Sequence, residues 1–333
     1  MEAFRLVFPE PYKIEIEKFE VGEPGRGELL IENEVSLIST GTELAYLGKA
    51  YSESWSWPRY PVRPGYSSVG RVVEVGDGVE GFEVGDRVAT MARHATHAIV
   101  RAGDVVKVPD GVSSELASFH TIAAGVMNSV RLADVSLGET VVIVGLGLLG
   151  QMATIFSRKS GAFPVIAIDL SELRLRLAEL SGANETILGG DWCKVREEVR
   201  CLTEGRMADK VFEVTGDPRV IPEAIKLARR QGYLIILSSP RGLTTLDFHD
   251  EVNSPSRIIV GTHFSSQPIV ETPYNPWTRI RNTRLFFNLL LAGLIRVDHL
   301  ITHRFRWDEA EKAYKMLLED RTRALGVILK FKG

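Results

Sequence analysis

Val141-Val142-Ile143-Val144-Gly145-Leu146-Gly147-Leu148-Leu149-Gly150 decides the fold. The four β-branched residues read as a strand that is apolar on both faces, which belongs inside a parallel sheet. The glycines that follow have separate tasks. Gly145 permits the tight turn out of the strand, Gly147 lets the backbone approach a pyrophosphate, and Gly150 lets the next helix pack close to the sheet. That helix offers free N–H groups and the positive end of its dipole to the phosphates. Glycine patterns alone are common. A strand before this one and a helix after it supply the context in which it binds a dinucleotide.

The next strand, Val165-Ile166-Ala167-Ile168, ends in Asp169. This acid stands about 20 residues beyond the glycines, where a carboxylate accepts hydrogen bonds from the adenosine ribose hydroxyls. A carboxylate there repels a 2′-phosphate, so NAD is expected rather than NADP. Arg174 pulls the other way, because it could help to meet a phosphate. Read without a ligand, Asp169 simply ends a strand and caps the following helix.

Outward from this motif, apolar strands alternate with helical stretches. Strands are expected at residues 141–144, 165–168, 211–214, 234–237 and 258–260. Helix-period segments at 151–159, 172–180, 194–202 and 219–229 lie between the first four, and a non-helical stretch at 240–255 separates the last pair. This is the pattern of a parallel sheet covered on both faces. Before it, a helix is expected at 115–132. Earlier still, short strands at 13–19, 28–35, 68–75, 87–91 and 105–108 are punctuated by Gly22-Glu23-Pro24-Gly25 and Gly76-Asp77-Gly78, which suggests a barrel-like β domain. A last helix at 308–318 and strand at 324–331 are expected to pack back onto that domain.

Bulk properties bound the function. The chain has 333 residues, 44% of them hydrophobic and 25% charged, which suits a soluble protein of two domains. A formal net charge of -3, with no basic stripe, argues against nucleic acid or an acidic membrane as partner. Cys193 and Cys201 sit in a polar, helix-like stretch and point to neither a disulfide framework nor a thiolate metal cage. The start of the chain does not read as a signal segment, and residues 285–295, interrupted by Asn288, are too short to span a membrane. A cytoplasmic location is expected.

Several stretches, in order, resemble the medium-chain dehydrogenase/reductase superfamily. They are Ser39-Thr40-Gly41-Thr42-Glu43-Leu44, Pro64-Gly65-Tyr66-Ser67-Ser68-Val69-Gly70, Gly85-Asp86-Arg87-Val88, residues 106–112, the glycine motif, and Phe212-Glu213-Val214-Thr215-Gly216. The resemblance implies a GroES-like β-barrel domain from residues 1–120, completed by 300–333. A Rossmann domain, doubly wound around a parallel sheet, is inserted at 121–299. The active site is implied in the cleft between them. Implied cofactor contacts are Gly145, Leu146, Gly147, Leu148, Leu149, Gly150, Asp169, Leu170, Arg174, Thr121, Thr215, Gly216, Ser238 and Thr262.

Zinc members of the superfamily carry a cysteine just before Gly-Thr-Asp, a His-Glu pair in the second motif, and a Cys or Glu in the helix entering the Rossmann domain. Here those positions hold Thr40, Tyr66-Ser67 and Thr121, and no cysteine falls between Gly85 and Pro109. Hydroxyls are poor zinc ligands beside thiolate, imidazole and carboxylate, so catalysis without zinc is expected. The wording of the two motifs is similar to bacteriochlorophyllide-type hydroxyethyl dehydrogenases and to dehydrogenase-like proteins of polysaccharide gene clusters.

Without a metal, side chains must hold the reacting oxygen and move its proton. Tyr66, His94, His120, Thr40 and Ser39 are the candidates, with Tyr66 and His94 leading. Glu43 reads as an organiser of the local network. His97 is a weaker candidate, and His263 is the histidine of the later chain that could come near the nicotinamide. An unorthodox zinc site of His94, His97 and His120 with Glu43 nearby is an alternative. Trp55, Trp57 and Tyr60 around Pro58 read either as a rim that stacks on a substrate or as a packed loop.

The expected activity is alcohol/ketone oxidoreduction on a sugar derivative, a polyol or another hydroxylated small molecule. Alternatives are reduction of an activated C=C bond, as in quinone and enoyl reductases, and non-catalytic dinucleotide binding. Residues 258–260 read as an outer strand through which two chains could pair, so a homodimer or homotetramer is expected.

Overall fold

The computed structural model describes residues 1–48 and 59–332. It divides into two compact units, Met1–Thr121 with Arg279–Gly333, and Ile122–Thr278. Trp55, Trp57 and Pro58 lie outside the described residues. Tyr60 lies within them, and its hydroxyl donates to the Tyr46 carbonyl.

The chain opens with an antiparallel pair, β1 (Glu2–Val7) and β2 (Glu15–Glu20). Next come β3 (Glu28–Leu37), helix α1 (Thr42–Leu47), β4 (Ser68–Val75), β5 (Arg87–Thr90), β6 (His97–Arg101) and β7 (Val106–Lys107). Residues 115–132, read from sequence as one helix, form two. They are α2 (Ser114–Ala117), capped by the Ser113 side chain, and α3 (His120–Leu132). The chain breaks between them at Ser118, whose carbonyl accepts from the Ser67 hydroxyl at 2.6 Å.

The second unit contains β8 (Val141–Val144), α4 (Leu148–Lys159), β9 (Val165–Asp169), α5 (Glu172–Leu180), β10 (Glu185–Leu188), α6 (Trp192–Leu202), β11 (Ala208–Glu213), α7 (Ile221–Ala224), β12 (Ala228–Ile236) and β13 (Ile258–Gly261). Its six strands lie in the order β10-β9-β8-β11-β12-β13. Every pair is parallel. This is the doubly wound arrangement, and chain direction across the sheet reverses between β8 and β11. All four β8 residues are buried, as a strand covered on both faces must be.

Three local expectations need correction. Residues 219–229 are not one helix. Only Ile221–Ala224 is α-helical, and Ala228 already pairs with Ala208 as the first residue of β12. Ala224, Ile225, Leu227 and Ala228 are all buried, so the buried positions run nearly consecutively rather than at helical spacing, as the chain passes into β12. The stretch at 240–255 is not wholly irregular either. A wide helical turn occupies His249–Asn253, with Ser254 N–H donating to the His249 carbonyl at 2.8 Å. Strand β10 has no counterpart in the sequence reading, because only Ile187 of its four residues is buried.

The chain returns to the first unit with α8 (Arg279–Leu291), β14 (Ile301–Arg306), α9 (Ala310–Asp320) and β15 (Gly326–Lys330). The return comes at Arg279 and not at residue 300. Arg279 pairs with Asp104 at 3.1 Å, and Leu291 packs on Gly111, which draws α8 onto the β domain. β15 pairs antiparallel with β3 in the sheet β14-β15-β3-β4-β5-β7, and β6 also pairs with β3. Ala313, Tyr314 and Leu317 of α9 pack against Leu6, Phe8 and Ile38. Each large apolar side chain buried here contributes about 1.5–3 kcal/mol. Among the described residues no helix is long and apolar enough to cross a membrane.

Candidate active site

The glycine turn has the geometry that a bound pyrophosphate needs. Gly145 has φ +94°, and a Cβ there would lie 2.9 Å from the Thr215 methyl. A Cβ on Gly150 would lie 1.9 Å from the Gly145 carbonyl oxygen, so only glycine lets α4 start this close to the turn. A Cβ on Gly147, by contrast, would meet nothing within 4 Å. The cradle is open where a phosphate would approach, and the N-terminus of α4 is directed at it. A dinucleotide therefore fits this part of the chain.

Asp169 ends β9 beside the turn. Its carboxylate accepts from Leu146 N–H at 2.7 Å and Ser171 N–H at 2.8 Å. The Arg174 guanidinium lies 3.9 Å from it. Leu170, next in the chain, is exposed. Gln151, not singled out by the sequence, clips the turn from behind. It is fully buried, donates to the carbonyls of Leu146 and Arg174, and accepts from the Ser181 hydroxyl at 2.8 Å. Thr215 and Gly216 follow β11, Ser238 stands just past β12, and Thr262 just past β13. All four thus lie at the C-terminal ends of strands, where open parallel sheets bind ligands.

In the first unit, the loop before α1 and the strand that starts at Ser68 bring two hydroxyls together. The Tyr66 hydroxyl donates to Ser39 Oγ. Burial pushes the Tyr66 phenol up to about 12. The Ser39 bond opposes that rise and the nearby Glu43 charge adds to it. Thr121 is buried and donates to the Tyr66 carbonyl at 3.0 Å, which fixes the backbone that carries the phenol. Thr40 is half-exposed beside Ser39.

Behind this pair lies a buried network. Glu43 is 1% exposed, accepts from Ser39 N–H at 3.0 Å, and lies 3.0 Å from His94 Nε2. The Tyr314 hydroxyl donates to the same carboxylate. Burial acts to raise the Glu43 pKa, but the His94 charge interaction and the three hydrogen bonds outweigh it and lower the value. His94 Nδ1 lies 2.6 Å from Ser36 Oγ, so both ring nitrogens are engaged and the ring is fully buried. Gly65 has φ +98°, and a Cβ there would lie 2.4 Å from the His94 nitrogen. Close packing at His94 therefore requires glycine before Tyr66. Ser36 and Tyr314 carry no local signal in the sequence, since a β-strand and a C-terminal helix deliver them from far away.

The other histidines stand apart from this network. His120 is buried with Nε2 3.1 Å from the Thr90 carbonyl. Burial first, then the charge of Arg279, lower its pKa to about 3. His97 on β6 sits opposite Glu32, bonds Thr96, and has its pKa lowered chiefly by burial. His263 is exposed and bonds Ser265. The three-histidine metal arrangement does not assemble. Among the described residues, no group of three His, Cys, Asp or Glu side chains has the spacing to hold a metal ion. The positions that carry zinc ligands in the zinc enzymes hold the hydroxyls of Thr40, Tyr66 and Thr121, which do not fit that ion.

Residues 25–127 match the alcohol dehydrogenase GroES-like domain, and residues 149–277 match the zinc-binding dehydrogenase family. The chain is 28% identical to the L-threonine 3-dehydrogenase of Pyrococcus furiosus, over 99% of both chains. It is 28% identical to sorbitol dehydrogenase 1 of Saccharomyces cerevisiae, over 76% of this chain and 77% of that one. The crystal structure of 2R,3R-butanediol dehydrogenase from Bacillus subtilis superposes with a TM-score of 0.82 at 22% identity, covering 99% of this chain and 100% of that one. The chain thus joins a stretch that matches a GroES-like dehydrogenase domain to a doubly wound parallel sheet within a stretch that matches the zinc-binding dehydrogenase family, and it is similar over nearly its whole length to an L-threonine 3-dehydrogenase.

Proposed function

We propose that this chain is an NAD-dependent oxidoreductase that interconverts an alcohol and a ketone on a hydroxylated small molecule without using zinc. The observation that carries the reading is the Tyr66–Ser39 hydroxyl pair, in which Tyr66 stands where zinc relatives hold a metal ligand. Two relatives named for threonine and sorbitol support a substrate of the hydroxyl class. The carboxylate of Asp169 at the end of β9 supports NAD over NADP.

The dinucleotide, when bound, supplies the two-electron donor or acceptor. Tyr66 holds the substrate oxygen. Its phenol remains protonated at neutral pH, so it donates to a carbonyl oxygen as negative charge builds there. With substrate bound, the phenol proton turns from Ser39 Oγ to the substrate oxygen, and the Ser39 hydroxyl rotates to donate to the phenol oxygen in return. Glu43 fixes the Ser39 main chain, and His94 and Tyr314 fix Glu43. His94 thus acts one hydrogen bond behind the reacting groups, as a positioning residue. A phenol held in its protonated form suits ketone reduction better than alcohol oxidation.

The test is cofactor turnover over panels of polyols, ketones and enones, with metal content measured on the same sample. Turnover with ketones or polyols that survives chelators, at well under one zinc per chain, supports the reading. Turnover on enones alone, or none on any panel, overturns it. We further propose that two chains pair along β13, the outer strand, where Ile258 and Ile259 are 43% and 39% exposed. A monomer in sedimentation at micromolar concentration would overturn that pairing.

A further inference from the structure

Glu213, the last residue of β11, is fully buried. Its hydrogen-bond donors among the described residues are neutral. They are Thr215 N–H at 2.7 Å, the Thr215 hydroxyl and the Ser238 hydroxyl. A carboxylate accepts only, so each hydroxyl must give its one proton to it. A buried anion held only by neutral donors is costly.

What Glu213 fixes is the polarity of the strand ends. Thr215 Oγ also accepts from Asp217 N–H at 3.0 Å, so that hydroxyl is used on both sides. Thr262 gives its proton to the Ile236 carbonyl at 3.1 Å. Ser238 is different. It donates to Glu213, no further bond occupies its oxygen among the described residues, and 9% of its surface stays exposed. All three hydroxyls at the ends of β11, β12 and β13 thus spend their protons on the protein, and of the three Ser238 keeps an oxygen with no further partner among the described residues.

We propose that Glu213 is a positioning residue that makes Ser238 an obligate hydrogen-bond acceptor for a donor group on the bound dinucleotide. That group is either the carboxamide NH2 or a ribose hydroxyl of its nicotinamide half. The proposal rests on the dinucleotide reading above and adds a polarity to it. A carbonyl or phosphate oxygen of the ligand is rejected at Ser238, because two acceptors face each other there.

Calorimetry on the whole chain tests this without turnover. The ligands are NAD, 3-acetylpyridine adenine dinucleotide, in which a methyl replaces the carboxamide amine, and an NAD analogue lacking the 2′-hydroxyl of the nicotinamide ribose. Ser238→Ala should weaken NAD by about tenfold. It should leave unchanged the binding of whichever analogue has lost the partner group, and that analogue identifies the donor. In Glu213→Gln the amide can donate to Ser238 and turn the serine proton outward, so NAD should weaken at least as much. The double variant should be no weaker than the worse single one, because the two residues act as one unit. Thermal melting checks that Glu213→Gln is folded, and Ser238→Ala decides the matter if it is not. Unchanged NAD binding by Ser238→Ala, or an equal loss for all three ligands, overturns the proposal while leaving the dinucleotide reading intact. Failure of the wild type to bind any of the three overturns both.

Discussion

The hydroxyl of Tyr314, on the C-terminal helix, donates to the carboxylate of Glu43, 271 residues earlier in the chain. Removing that donor leaves a buried carboxylate short of one hydrogen bond. Tyr314→Phe should cost about 1–3 kcal/mol, read as a lower urea midpoint at unchanged slope. His94→Asn, which withdraws the imidazole from the same carboxylate, should cost more than Tyr314→Phe. Equal stability of both variants and the wild type would refute the network's role.

Tyr66→Phe keeps the ring and deletes the hydroxyl. Turnover should fall on the order of a hundredfold or more, with NAD binding unchanged in calorimetry. The raised phenol pKa fixes the sign of the pH response. The donor form persists at every pH below about 12, so ketone reduction should show no loss from Tyr66 ionisation through the ordinary tyrosine range near 10. Wild-type turnover by Tyr66→Phe sinks the assignment.

Acid should unfold the protein by way of His120. Its folded pKa of about 3 lies below the ordinary 6.5, so the native state holds the neutral ring. That contribution is complete above pH 6.5 and drains away as pH falls toward 3. Glu43 acts in the same direction, below its ordinary 4.5, because its folded value is also lowered. In His120→Gln, stability should therefore change less between pH 6.5 and 4 than in the wild type. Parallel urea-midpoint curves for the two proteins would contradict this.

Asp169→Asn keeps an oxygen for Leu146 N–H and removes the charge. NAD binding should weaken and discrimination against NADP should shrink, with Arg174 nearby to meet the 2′-phosphate. Asp169→Ser should shift preference further toward NADP. If the wild type binds NADP as tightly as NAD in calorimetry, the role given to Asp169 is wrong.

The parallel sheet was legible because β8 and β9 are short apolar runs bounded by glycines and an acid, and such runs have few other places to go. β10 was not, because an edge strand with one buried residue carries almost no pattern. The hydroxyls of Ser39, Tyr66 and Thr121 could be picked out by position in the motifs. The partners that give them meaning could not. Ser36 and Tyr314 meet His94 and Glu43 only after two distant segments join one sheet and its covering helix. Glu213 stood in plain view within Phe212-Glu213-Val214, but its significance depends on Ser238, which the folded chain alone brings within reach.

The first unit is written in two pieces, and this imposes an order on its birth. Ile122–Thr278 is continuous and can fold while later residues are still being made. β3 cannot complete its sheet until β15 is made, and Glu43 has no Tyr314 until α9 exists. At roughly 5–20 residues per second, the N-terminal piece waits on the order of ten seconds or more with that strand edge unpaired. An open edge of this kind is a template for joining another chain. That exposed edge of β3 is covered only when β15 docks.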